Sequence, residues 1–335
     1  MRPTMMTRTW LTSSAALALA SAAAFGDTSL FSNASPNPLL PALAPASATG
    51  SGAAAPIGSF WSEVAAVSAA ESNAFAGVSG QGYNANGAFR FAEDFTVPVN
   101  RVWNLSAAQL FAYQPGASAP PAASPFVGVS VQIWSGRPGD VGSTILWGDT
   151  ATNRLTASSS TGIYRVFNST TTPATAPDTA RLIWQLDAAV TISLQPGTYW
   201  LDWQIVTLDP FGEAFAPTAT LPGSRTVAGW NAIQFKPAAP TPTAPSAGGV
   251  WSAIADPGKP TTASDAPQAL PFILRGTVGG CIADFNSSGG ITIDDLFLFF
   301  NAWFTGDPSA DFNSAGGVTV DDLFLFINAW FVGCP

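Results

Sequence analysis

Near the C-terminus, Asp284, Asn286, Ser288, Gly290, Thr292 and Asp295 fall at positions 1, 3, 5, 7, 9 and 12 of a twelve-residue window, with Gly289 at position 6. Each of these six positions offers an oxygen, from carboxylates at the two ends, an amide and hydroxyls between them, and the main-chain carbonyl of Gly290. Side chains at alternate loop positions point inward, and glycine permits the sharp turn. The set therefore suits a hard cation that takes roughly six to eight oxygens, which is the demand of calcium. The pattern returns 27 residues later as Asp311, Asn313, Gly317, Thr319 and Asp322, turning at Gly316. Position 5 of this second loop is Ala315, which leaves it one ligand short.

The same residues carry a second chemistry. Thr292 with Asp295, and Thr319 with Asp322, have the spacing of capping boxes, while Asp294 and Asp321 suit the positive end of a helix. Capping alone does not account for an Asp-x-Asn-x-x-Gly set standing upstream at the same distance in both copies. The apolar runs that follow, Leu296 to Phe304 and Leu323 to Phe331, are about nine residues long, against the roughly twenty needed to cross a bilayer. Gly306 and Pro308 supply a stop, so short helices are predicted. A helix apolar on all sides must bury more than one face. Packing between the repeats takes most of the Phe and Leu side chains, and Trp303 and Trp330 are left as candidate contacts with a partner or with the preceding domain.

The duplicated loop and helix resembles a type I dockerin over about Cys281 to Pro335. The resemblance rests on Asp at position 12 followed by Leu (Leu296 and Leu323) and on the lack of a helix before each loop. It implies Ca2+ as the cofactor and a cohesin-like receptor as the partner. Ser288 and Ala315 stand where the family usually has Asp, and the helices carry Phe and Trp where many dockerins carry Lys and Arg.

Cys281 and Cys334 are the only cysteines and bracket this module. The ends of a pseudo-symmetric pair of repeats come together, which predicts a disulfide. The closed loop of about 54 residues would contribute roughly 4 kcal/mol on a chain-entropy estimate. With no second cysteine pair and no histidine, a metal site is the poorer use of the two thiols.

The opposite end of the chain indicates the compartment. Arg2 and Arg8 precede the apolar stretch Trp10 to Ala24, with small residues for cleavage, so residues 1–26 read as a signal peptide. A secreted protein, extracellular or on the cell surface, is expected, with no membrane span after cleavage. That setting suits both a disulfide and millimolar calcium. With 12 basic and 21 acidic residues the net charge is −9, which argues against a nucleic-acid partner. Seven of the acids lie in the repeat module, which has no Lys or Arg. The absence of histidine excludes His-dependent triads and His-ligated zinc.

Residues 27–56 are rich in Ala, Pro and Ser without periodicity and read as a spacer. From 57 to 278 the texture changes. Segments such as Phe89 to Val97, Val127 to Ile133, Leu182 to Leu186, Val190 to Leu194, Thr198 to Val206 and Phe272 to Leu274 alternate or run apolar, with Pro-Gly and Ser-Gly punctuation between them. The fold class expected is mainly β: an antiparallel β-sandwich, jelly-roll-like, followed by the small α-helical dockerin-like module at 281–335. Pro237 to Pro245 reads as a surface loop, because the strand after it still needs a partner. The sandwich loosely resembles noncatalytic jelly-roll domains of exported bacterial proteins, with Gly197 to Leu201 following a Pro-Gly turn.

Two chemistries are open to this sandwich. Glycoside hydrolysis needs paired carboxylates, for which Glu93, Asp94, Asp202 and Glu213 are candidates. Glu93 falls on the Phe91 and Phe95 side of its strand unless a bulge turns it outward. Polysaccharide binding needs exposed flat aromatics, and Trp134, Trp147, Trp200, Trp203, Trp230 and Trp251 are available. Trp200 and Trp203 face opposite sides of one strand, so at least one could be exposed, though Trp is also ordinary sandwich core. The expectation is a noncatalytic adhesive or binding protein whose module attaches it to an extracellular assembly or surface polymer. A carbohydrate-active enzyme with the same attachment is the alternative.

Overall fold

The computed structural model describes residues 28–33, 43–64, 78–80, 89–98, 101–116, 123–167, 169–170, 174–208, 214–220, 226–238, 248–257, 262, 264–279, 281–286, 288, 290–313 and 317–333. The strands in chain order are β1 (Thr28–Ser32), β2 (Phe60–Val64), β3 (Val78–Gly80), β4 (Arg90–Val97), β5 (Trp103–Ala112), β6 (Phe126–Trp134), β7 (Ile145–Asp149) and β8 (Leu155–Phe167). They continue as β9 (Leu182–Leu194), β10 (Gly197–Thr207), β11 (Ala214–Ala216), β12 (Ile233–Pro237), β13 (Gly249–Ala253), β14 (Ala255–Asp256), β15 (Ala266–Pro267) and β16 (Phe272–Val278). Two helices follow, α1 (Ile293–Thr305) and α2 (Val320–Val332).

The fold is mainly β, built on two six-stranded sheets ordered β1-β16-β5-β9-β8-β2 and β13-β12-β4-β10-β6-β7. Pairing is antiparallel except that β2 runs parallel to β8, with Phe60 opposite Ile163. A parallel pair needs a long connection, and here β3 to β7 lie between the two strands.

Alternation along each strand builds the core. Phe91, Phe95 and Val97 of β4, Leu201, Trp203 and Ile205 of β10, and Val129, Val131 and Ile133 of β6 meet Leu105, Ala108 and Leu110 of β5, Leu186 of β9, and Phe272 and Leu274 of β16 in one buried cluster. Truncating Trp203, which is 1% exposed, to Ala would cost about 3–5 kcal/mol through lost transfer energy and the cavity left behind. The first sheet is buried on its outer face too, where Leu43, Phe111, Tyr113, Ile163, Ile183 and Ile273 cluster. That explains the continuous apolar run at Leu182, Ile183 and Trp184, since a strand covered on both faces has no polar side. The two segments expected at 182–186 and 190–194 are a single strand, β9. Asp187 does not break it, because both Gln109 and Gln185 donate to its carboxylate at 2.9 Å.

The structure departs from the reading of 27–56 as a spacer. Strand β1 pairs antiparallel with β16, and the Phe31 ring lies 5.1 Å from Phe272. Downstream, Ala46 exchanges two 2.8 Å backbone hydrogen bonds with Trp61, and Leu43 is 1% exposed. Composition gives no sign of the first contact because β16 lies far away, Thr28 and Gly276 being 248 residues apart. The predicted signal peptide, residues 34–42 of the predicted spacer, Glu213, Gly289, Ala315, Gly316 and Cys334 lie outside the described residues, as does most of the Pro-rich stretch after Pro237. The strand expected beyond that stretch is β16, which pairs with both β5 and β1. No helix among the described residues is long and apolar enough to cross a membrane.

Candidate functional site

Hydrogen bonds link Asp284, Asn286, Ser288 and Gly290 to one another and Asn286, Thr292 and Asp295 to one another in the first loop, and Asn313, Thr319 and Asp322 in the second. In the first loop the Ser288 N–H donates to Asp284 Oδ1 at 2.8 Å and to Asn286 Oδ1 at 2.9 Å, while the Ser288 hydroxyl reaches the Gly290 carbonyl at 3.5 Å. The loop closes on Asp295. Its Oδ1 accepts the Asn286 N–H at 3.0 Å, and its Oδ2 accepts the Thr292 N–H at 2.7 Å and the Thr292 hydroxyl at 3.0 Å. In the second loop Asp322 accepts the Asn313 N–H at 3.0 Å, the Thr319 N–H at 2.7 Å and the Thr319 hydroxyl at 2.8 Å. The capping chemistry is thus made in full, twice, and α1 and α2 start where the two capping boxes place them.

Asp295 and Asp322 are both 0% exposed. Burial works against their charge, but hydrogen bonds from Asn286, Thr292 and Phe285 to Asp295, and from Asn313, Thr319 and Phe312 to Asp322, more than offset it. Both carboxyls are held below the usual carboxylate range and are ionised at neutral pH. The donors occupy much of the lone-pair capacity at position 12, so a cation there shares those oxygens with the cap. The two loops differ at position 7, where Gly317 has φ +77 and Gly290 is not in the left-handed region. Among the described residues no group of three or more His, Cys, Asp or Glu side chains could hold a metal, so any cation relies on neutral oxygens beside two carboxylates per loop.

The two helices clasp each other. Phe299 and Phe326 stack at 3.8 Å between ring centroids and 3° between planes, and both are 0% exposed. Phe285 and Phe312, at position 2 of each loop, meet that stack edge-on at 82–86°. The Trp303 indole N–H donates to the Thr319 carbonyl at 2.6 Å, and that of Trp330 to the Thr292 carbonyl at 3.0 Å. Both indoles, predicted as surplus surface, instead join the repeats. Their amphipathic rings, spaced alike in the two helices, were the available signal. The aromatic surface left exposed is Phe297, Phe304, Phe324 and Phe331, at 63, 78, 65 and 76%.

Of the candidate acids of the sandwich, Glu93 faces the core, Asp94 and Asp202 face outward, and Glu213 lies outside the described residues. Strand β4 has no bulge against β10, so Glu93 faces inward with Phe91 and Phe95, is 3% exposed, and accepts the Leu270 N–H at 2.9 Å. Burial pushes its carboxyl well above the usual range. Asp94 and Asp202 share the outer face of the second sheet, opposite Trp200 and Ala92 respectively. Burial raises both, Asp202 to about 6 even against the pull of Arg90 and Trp134. Asp202 is 1% exposed, with Arg90 forked onto it at 2.7 and 3.1 Å and the Trp134 indole at 3.0 Å. The Arg90 guanidinium lies in turn against both the Phe235 and Trp251 rings, 5.0 and 5.2 Å from their centroids. The Asp202 carboxylate is thus buried under its partners, while the Arg90 side chain keeps 17% of its surface exposed.

Neither tryptophan of β10 is exposed. Trp203 fills the core, and Trp200, on the opposite face, is only 5% exposed, with Arg137 lying over its ring. Trp134, Trp147, Trp230 and Trp251 are partly buried. A cavity of about 290 Å³ opens beside β6 and β10, lined by Ser130, Thr152, Asn153, Gln204 and Val206 among others, without an aromatic or charged side chain. A second, of about 230 Å³, lies where the turn at Pro196 and Gly197 meets Phe312, Leu325 and Asn328. In comparison with known proteins, the chain matches no family model, no curated protein and no solved structure.

Proposed function

We propose that residues 281–335 form a calcium-stabilised, dockerin-like attachment module and that the β-sandwich is a secreted, noncatalytic binding or adhesive domain held by it to an extracellular assembly or surface. The observation that carries this reading is the contact-by-contact correspondence of the two loops, each closing on its own position-12 aspartate and each tied to the other repeat through an indole. The exposed Phe297, Phe304, Phe324 and Phe331 supply apolar surface of the kind that docks to a receptor. A cohesin-like receptor is the partner this reading implies.

Two finer features belong to the same proposal. A jelly-roll arrangement of the sandwich is supported by the orders β1-β16-β5-β9 and β4-β10-β6-β7, which interleave early and late strands as two Greek keys do. A Cys281–Cys334 clasp is supported by the absence of a free cysteine among the described residues.

Deletion of residues 281–335 from the secreted protein is the test. Surface retention should be lost while the sandwich stays folded, and chelating calcium from the intact protein should reproduce the loss. Retention that survives both treatments overturns the attachment role.

A further inference from the structure

The outer face of the first sheet carries a positive charge that nothing described balances. Arg165 sits on β8 between Tyr164 and Val166, which point into the sandwich core, so its own side chain points the other way, beneath the segment 214–220. It is 0% exposed. Its Nη2 donates to the Thr218 carbonyl, while Nε and Nη1 have no hydrogen-bond partner. The ion pairs among the described residues are Arg90–Asp202, Arg137–Asp140, Arg154–Asp149 and Arg181–Asp178, and none involves Arg165. The one titratable neighbour that acts on it is Tyr113, whose hydroxyl burial pushes up to about 12, so it is neutral and offers no counter-charge.

Two residues that flank Arg165 carry hydroxyls without partners. Ser62 is the cross-strand neighbour of Arg165 in the parallel β2–β8 pair, so the two side chains share a face. Thr218 is held there by the bond from Arg165 to its carbonyl. Ser62 Oγ and Thr218 Oγ1 are buried and unsatisfied, and both residues are 0% exposed.

From this arrangement we infer that Arg165, Ser62 and Thr218 bind a buried monovalent inorganic anion, with chloride as the natural occupant. An uncompensated guanidinium in the interior costs several kcal/mol, and an unmade buried hydrogen bond adds to that cost. Water is the poorer filler, because it can satisfy the hydroxyls, which accept as well as donate, but leaves the guanidinium charge uncancelled. An anion accepts from all of them and cancels the charge. A single negative charge suffices, since a divalent anion would leave a buried net charge of opposite sign. The site lies in the sandwich, outside the repeat module, and does not depend on the function proposed for either part.

The test uses the full-length protein, with chloride exchanged for gluconate at constant ionic strength. The melting temperature of the sandwich should rise by about 3–6 °C for each tenfold increase in chloride above the dissociation constant. Arg165→Met should abolish that dependence. Should that variant fail to fold, bromide-soaked wild-type crystals give the answer directly, through an anomalous peak in contact with the guanidinium. Stability that ignores chloride, an unchanged slope in a folded Arg165→Met protein, or a water or chain carboxylate at the bromide position would each overturn the site.

Discussion

The Trp303 indole donates to the Thr319 carbonyl, so the last turn of the first helix is tied to the residue that caps the second. Trp330 returns the bond to Thr292. Thr292 and Thr319 are also position 9 of their loops. Each loop is therefore braced by the other repeat, at the point where the cap and the predicted ligand set meet.

That bracing gives a crossed expectation. Trp330→Phe keeps a ring but removes the bond to Thr292, at a cost of about 1 kcal/mol, and should weaken calcium binding at the first loop; Trp303→Phe should do so at the second. Calorimetric titration of each variant in the full-length protein, followed by melting curves, separates the two loops. Effects confined to the loop preceding each mutated helix would contradict the bracing.

Calcium should favour the first loop. Ser288 is present and bonded within it, whereas the second loop has Ala315 at the equivalent position. With two carboxylates per loop, affinity should fall in the weak range of about 10⁻⁴ to 10⁻³ M, and Asp284→Ala should remove the tighter phase. A titration in which only Asp311→Ala removes it reverses the assignment.

The clasp has a direct readout. Labelling of the denatured, unreduced protein should find no free thiol, and reduction should lower the melting temperature of the module by removing a constraint worth roughly 4 kcal/mol while sparing the sandwich. Two labelled cysteines rule the bond out.

Glu93 should make the sandwich pH-sensitive in a predictable direction. Burial raises its folded pKa, so the stability from holding its proton is fully present below the unfolded value near 4.3 and is lost as pH rises through the higher folded value. Glu93→Gln imitates the protonated acid. Its melting temperature should match wild type near pH 4 and exceed it increasingly toward neutral and alkaline pH. A pH-independent gap between the two proteins would show that Glu93 does not titrate in this way.

What the sequence could say about this chain is what local chemistry controls. Capping boxes, turn glycines and the 27-residue repeat act over a few residues, so the positions of α1 and α2 are legible in the sequence. Period-2 alternation likewise marked β4, β6, β10 and β16, because the face a strand buries is written along it. The tertiary structure decided everything that depends on which distant segment supplies the partner. The apolar and Asn side chains near residue 30 became an edge strand only because β16 lies beside them. Trp200 and Trp203 lie on opposite faces as alternation requires, yet both are buried, since exposure depends on what covers each face as well as on where a side chain points. Asp202 reads as a possible acid until register sets it in reach of Arg90 and Trp134, 112 and 68 residues away. Arg165 carried no signal at all, because a lone arginine in a strand is ordinary until a covering segment takes it out of water.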